Sequence, residues 1–147
     1  MSLINELRVK SASAEGIKNE VIAEIKTYFD KYLNGDGLEN FLRSTIRESE
    51  IKERKVFTKV TFWEYHDGCS TTHFYCCGKA WYNPENKDGW NSHTYKGVAL
   101  STIDKEIGNY LSTRLMSRMN ELGFYLVSKE DCKRRLGYYE TYFYFGW

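Results

Sequence analysis

The residue types best suited to chemistry lie together between positions 66 and 77. His66, Cys69, His73 and the pair Cys76–Cys77 follow one another at short spacings. Histidine and cysteine are common ligands of zinc. However, His73 and Cys77 on one strand would be separated by about 13 Å, which is too far for one metal ion. The stretch also lacks a Cys-x-x-Cys pair, so the sequence does not favour a zinc site.

The same stretch could supply a nucleophile and its base. Cys69 or Cys77 could pair with His66 or His73, and such a pairing activates a thiol. A hydrolase would also need an oxyanion site, and no nucleophile elbow or glycine-rich nest accompanies these residues. No Walker loop, dinucleotide fingerprint, His-Glu-x-x-His helix or calcium loop occurs elsewhere. A cysteine- and histidine-dependent enzyme therefore ranks below a non-enzymatic protein, and no cofactor is expected.

These residues belong to a chain of 147 residues whose charges almost cancel, with 21 Lys and Arg against 20 Asp and Glu. This length typically forms a single domain, 1–147. The net charge of +1 argues against a nucleic-acid partner or a membrane surface. No apolar run is long enough to span a membrane, and no secretory signal follows Met1. Four cysteines without a disulfide pattern indicate reduced thiols, so a cytoplasmic protein is expected.

Amphipathic helices are predicted in the first third of the chain. Apolar residues at steps of three and four occupy one stripe of 17–33, after an N-cap at Ser13. A second helix is predicted to begin at Asp36. Residues 1–12 form either a flexible arm or the start of the first helix, and residues 13–50 form the helical N-terminal part.

The remaining part, 55–147, is predicted to hold a sheet and one long helix. The pattern there changes to a period of two, with β-branched and aromatic residues. It predicts strands over 56–65, 71–82, 92–100, 124–128 and 138–145, and a helix over 101–123. The order ααβββαββ predicts an α+β fold. An antiparallel sheet of about five strands is then packed by the long helix and one or two N-terminal helices.

The strand aromatics divide between two faces of this sheet. On the last strand, Phe143 and Phe145 alternate with Tyr142 and Tyr144, and adjacent strand residues point to opposite faces. Glu140 shares the tyrosine face, and Lys59 or Lys79 is its expected partner. Extending this alternation to the other strands predicts a binding face of Tyr, Trp, His and Lys side chains: Trp63, Tyr65, His73, Tyr75, Lys79, Trp81, Tyr138, Tyr142 and Tyr144.

Such a face favours a protein partner. Tyr and Trp combine a large apolar area with a polar end, and both are enriched at binding hot spots. Arg134 and Arg135, in a charged loop, would steer the partner. The alternatives are aromatic pairs that only stiffen the sheet, coverage by the N-terminal helices, or a homo-oligomer contact.

The leading hypothesis is a small cytoplasmic binding protein that regulates or inhibits another protein through this face. Richness in Lys, Asn, Ile and Tyr with one Pro is typical of an AT-rich phage or mobile element. The second hypothesis is a small-molecule binding protein, in which Tyr and Trp stack on a nucleotide-like ligand and Arg or Lys holds its phosphate. No metal is expected in either case.

Overall fold

A computed structural model describes residues 2–63, 72–85, 94–133 and 138–147, with the backbone alone at 62–63, 72–73, 132–133 and 138–139. Its helices are α1 (Leu3–Asn34), α2 (Gly37–Thr45), α3 (Glu48–Glu53) and α4 (Asp104–Glu121). Its strands are β1 (Lys55–Trp63), β2 (Thr72–Cys76), β3 (Lys79–Tyr82), β4 (Thr94–Tyr95), β5 (Val98–Ala99), β6 (Tyr125–Lys133) and β7 (Tyr138–Gly146).

Five strands form one antiparallel sheet in the order β3-β2-β1-β7-β6. The predicted α+β class, the five-stranded antiparallel sheet and the element order are confirmed. The strands that supply the five differ from the prediction, however. The predicted strand 71–82 is two strands, β2 and β3, joined by a turn, and 92–100 contributes the separate small hairpin β4–β5.

The core lies between one face of this sheet and the helices α1 and α4. Most of the apolar stripes that predicted these helices is buried there, from Val21 onwards in α1, and the β-branched and aromatic residues of β1, β2 and β7 meet them. Fully buried members include Ile25, Phe29, Leu111, Leu115, Phe74, Phe143 and Phe145. Of the two alternatives for residues 1–12, the structure shows the start of the first helix, since α1 begins at Leu3 and Ser13 lies within it rather than at its N-cap. Ser2 is the N-cap, and its hydroxyl accepts the Asn5 N–H at 3.2 Å.

Two tyrosines of α1 attach the β2–β3 hairpin to the helix layer. The Tyr28 hydroxyl donates to the carbonyl of Ala80, and the Tyr32 hydroxyl donates to the carbonyl of Cys77 at 2.5 Å. Burial raises the pKa of Tyr32 well above its ordinary value, so this donor keeps its proton at neutral pH. The hairpin is therefore held in a fixed position beside α1 and α2.

Candidate functional site

The sheet has an outer face, the side away from α1 and α4. Directly paired residues of an antiparallel sheet share a face. Phe57 pairs with Tyr144, Lys59 with Tyr142, and Thr61 with both Glu140 and Tyr75. The outer face is thus defined by Phe57, Lys59, Thr61, Tyr75, Glu140, Tyr142 and Tyr144. The register brings Tyr75, Tyr142 and Tyr144 onto one surface, as the sequence predicted for these three.

Three aromatic rings form a row on the outer face. The Phe57 ring lies between Tyr142 and Tyr144, with a centroid distance of 5.3 Å to each. Phe57 is 42% exposed and Tyr144 is 41% exposed, although both side chains are large. Aromatic rings at this spacing stabilise one another. The row is therefore a fixed aromatic surface in contact with solvent.

A buried carboxylate lies next to this row. Glu140 is only 5% exposed even though it lies on the outer face. The Lys59 ammonium lies 3.7 Å from its Oε1, and the Tyr142 hydroxyl donates to its Oε2. Lys59 is thus one of the two partners that the sequence predicted for Glu140. Because a buried charge needs a partner, this contact fixes Tyr142 and Lys59 in position and neutralises the centre of the face.

The prediction was wrong about the face of Trp81 and Lys79. β2 ends at Cys76 and β3 begins at Lys79, so Cys77–Gly78 is a two-residue turn in which both residues have positive φ. Because of this turn, the side chains of β3 point to the faces opposite to those predicted for one continuous strand. Trp81 pairs with Phe74 in the core and is 5% exposed, and the Lys79 ammonium lies 5.1 Å from the Tyr28 ring centroid of α1.

Several predicted residues lie outside the described residues: Tyr65, Arg134 and Arg135, together with His66 and Cys69 of the nucleophile hypothesis. The same holds for the side chains of Trp63, His73 and Tyr138, whose backbones lie in β1, β2 and β7. The backbone register places Trp63 directly opposite Tyr138.

A cleft that the sequence analysis missed borders the outer face. It has a volume of about 400 Å³ and lies between β1, α2, α3 and the β2–β3 turn. Phe41 of α2, Phe57 of β1 and Tyr75 of β2 line it, and Arg47 and Lys59 contribute cations. No local signal reveals such a cleft, because its lining residues are spread from position 41 to position 77 and come together only through the tertiary fold.

The cysteines of the β2–β3 hairpin are poorly suited to nucleophilic chemistry. Cys76 and Cys77 are buried free thiols. Burial raises the pKa of Cys77 to about 12 and raises that of Cys76 well above its ordinary value. The thiolate is the reactive form, so both thiols are almost fully protonated at neutral pH.

We expect Cys76 and Cys77 to react with iodoacetamide at pH 7.5 at least about 100-fold more slowly than the same cysteines in urea-unfolded protein. Peptide mass spectrometry over a time course would measure each site separately. The unfolded sample is the control because all of its thiols are accessible. Rapid labelling of Cys77 in the folded protein would contradict its burial and would restore it as a candidate nucleophile.

Within the described ranges, no three metal-ligating side chains come together. Among the helices that the structure describes, none is long and apolar enough to cross a membrane. No protein-family model, curated protein or solved structure matches the chain. Its function must therefore be inferred from the geometry of the outer face and the cleft.

Proposed function

We propose that this chain is a small non-enzymatic binding protein of the cytoplasm, which regulates or inhibits another protein by contact through its outer face. The observation on which the proposal rests is the aromatic row of Phe57, Tyr142 and Tyr144, whose neighbouring centroids are 5.3 Å apart and in which Phe57 and Tyr144 are exposed. The free thiols of Cys76 and Cys77 are consistent with a reducing compartment.

The physical argument rests on what the row offers to a partner. Tyrosine and phenylalanine bury a large area on binding and lose few rotors, so they cost little conformational entropy. Here the strand backbone and the mutual ring contacts already restrict them. Lys59 offsets the negative charge of Glu140 beneath the row. A partner that covers these rings therefore gains apolar contact without desolvating an unpaired charge.

A site-specific cross-linking experiment tests the proposal. A photoreactive benzoylphenylalanine is placed at position 144 in one protein and at position 105 in a control. Lys105 lies exposed on α4, on the opposite side of the sheet. In cells of the native source, we expect a discrete adduct from position 144 and none from position 105. The proposal would be contradicted if position 144 gave no adduct, or if both positions gave identical adducts.

Once the partner is identified by mass spectrometry, its affinity can be measured with variants. We expect Tyr144→Ala to weaken binding at least about tenfold, because it removes an exposed aromatic contact of the row. Ile17→Ala is the matched control, since Ile17 is 44% exposed but lies on α1. If the cross-linked partner at position 144 proves to be a second copy of this chain, the outer face is a self-association surface.

A further inference from the structure

The cleft begins where β1 has a neighbouring strand on one side only. β7 pairs with β1 along its whole length, whereas in the part of the chain that the structure describes β2 pairs with residues 60–62 of β1 and with none before them. The chain turns back at Cys77–Gly78, so the first half of β1 faces α2 and α3 across the cleft instead of a strand. This arrangement exposes side chains of β1 and β2 to a common cavity.

The backbone of β1 in this region is already engaged. Oε2 of Glu50 on α3 accepts the Phe57 N–H at 3.3 Å, and the Lys59 carbonyl accepts the Cys77 N–H at 3.0 Å. An extended peptide that added as a strand would need these groups. A ligand in the cleft is therefore recognised through side chains, which favours a small molecule over a peptide.

The charges of the cleft favour an anion. Among the described lining residues the acidic one is Glu50, and backbone N–H groups occupy both of its oxygens: Oε1 accepts the Arg47 N–H at 3.1 Å and Oε2 accepts the Phe57 N–H. Lys59 is shared with Glu140. The Arg47 guanidinium, by contrast, makes no ion pair with any residue in the described ranges. It therefore remains available for a phosphate or carboxylate.

The walls favour a planar ring. Phe41, Phe57 and Tyr75 line the cleft, and aromatic side chains pack well against flat ligands. Thr58 also lines it, and its buried hydroxyl has no hydrogen-bond partner among the described residues. A volume of about 400 Å³ lies within the range typical of small-molecule sites.

We propose that the cleft between β1, α2 and α3 binds a small planar aromatic compound that carries an anionic group. Arg47 binds the anion, and Phe41 and Phe57 contact the ring. The cleft shares Phe57 with the outer face, whereas Arg47 and Phe41 lie outside that face.

Calorimetric titration with seven probes tests this site: AMP, GMP, CMP, UMP, benzoate, 4-hydroxybenzoate and anthranilate. Adenosine, benzamide and inorganic phosphate are the controls that lack either the charge or the ring. We expect at least one probe to bind with a Kd below about 1 mM, at least about tenfold tighter than its controls. Whether phosphates or carboxylates bind identifies which anion the site takes.

Variants then locate the binding. Arg47→Ala is expected to weaken it at least about tenfold, whereas Arg43→Ala should leave it unchanged, because Arg43 lies on α2 and pairs with Glu39. Ile17→Ala should also leave it unchanged, because Ile17 lies on α1 and does not line the cleft. The inference is overturned if no probe binds below about 1 mM, if the controls bind equally well, or if Arg47→Ala has no effect.

Discussion

Trp81→Ala is expected to lower the free energy of unfolding by about 3–5 kcal/mol, the usual cost of removing a buried large aromatic side chain. Trp81 is 5% exposed, and its ring centroid lies 5.6 Å from that of Phe74 and 5.5 Å from that of Tyr95. The indole thus joins the five-stranded sheet to the β4–β5 hairpin. Its removal leaves a cavity that these neighbours cannot fill without moving. Urea unfolding followed by circular dichroism would measure the loss.

Tyr144→Ala is the matched control for this substitution. Tyr144 is also a large aromatic residue in the same sheet, but it is 41% exposed on the outer face. We expect it to cost less than about 1 kcal/mol, since exposed positions contribute little to stability. Equal losses for the two variants would contradict the assignment of Trp81 to the core and Tyr144 to the surface.

The sequence correctly predicted that Tyr144 lies on the outer face, but it placed Trp81 on that face as well, and Trp81 is buried. The alternation on β1 and β7 correctly predicts their two faces, because both strands are continuous and pair with each other throughout. The same reasoning failed for Trp81 because it assumed one strand across 71–82. Gly78 was the available signal, since glycine inside a strand often marks a turn or bulge. The turn was not predicted because its first residue is Cys77, and cysteine is unusual at a position with positive φ.

The outer face and the cleft also differ in how far the sequence could predict them. The outer face follows from period-two alternation and from pairing between strands, so its tyrosines could be predicted. The buried Glu140–Lys59 pair was also predictable, because one charged residue among aromatics needs a cross-strand partner. The cleft could not be predicted. It arises because β2 ends before covering β1, and the position of α2 against that gap depends on packing that no local pattern encodes.

Gly78→Ala is expected to lower the free energy of unfolding by about 2–5 kcal/mol, from two separate causes. Gly78 has a φ of +94°, where a residue with a Cβ costs roughly 1–2 kcal/mol. A methyl group there would also lie 2.5 Å from Cδ2 of Phe41, and overpacking of this kind costs about 1–3 kcal/mol. The turn must therefore deform or Phe41 must move. The loss would be measured by urea unfolding.

Gly97→Ala separates the two causes. Gly97 has a φ of +77°, but nothing lies within 4 Å of a Cβ added there, so only the backbone cost of roughly 1–2 kcal/mol applies. In a Phe41→Ala background, the additional cost of Gly78→Ala should fall to the Gly97→Ala value, because the ring that clashes is gone. An unchanged cost would show that Phe41 does not pack against the turn. The wall of the cleft would then not be where the structure places it, so this double-mutant cycle also tests the geometry on which ligand binding depends.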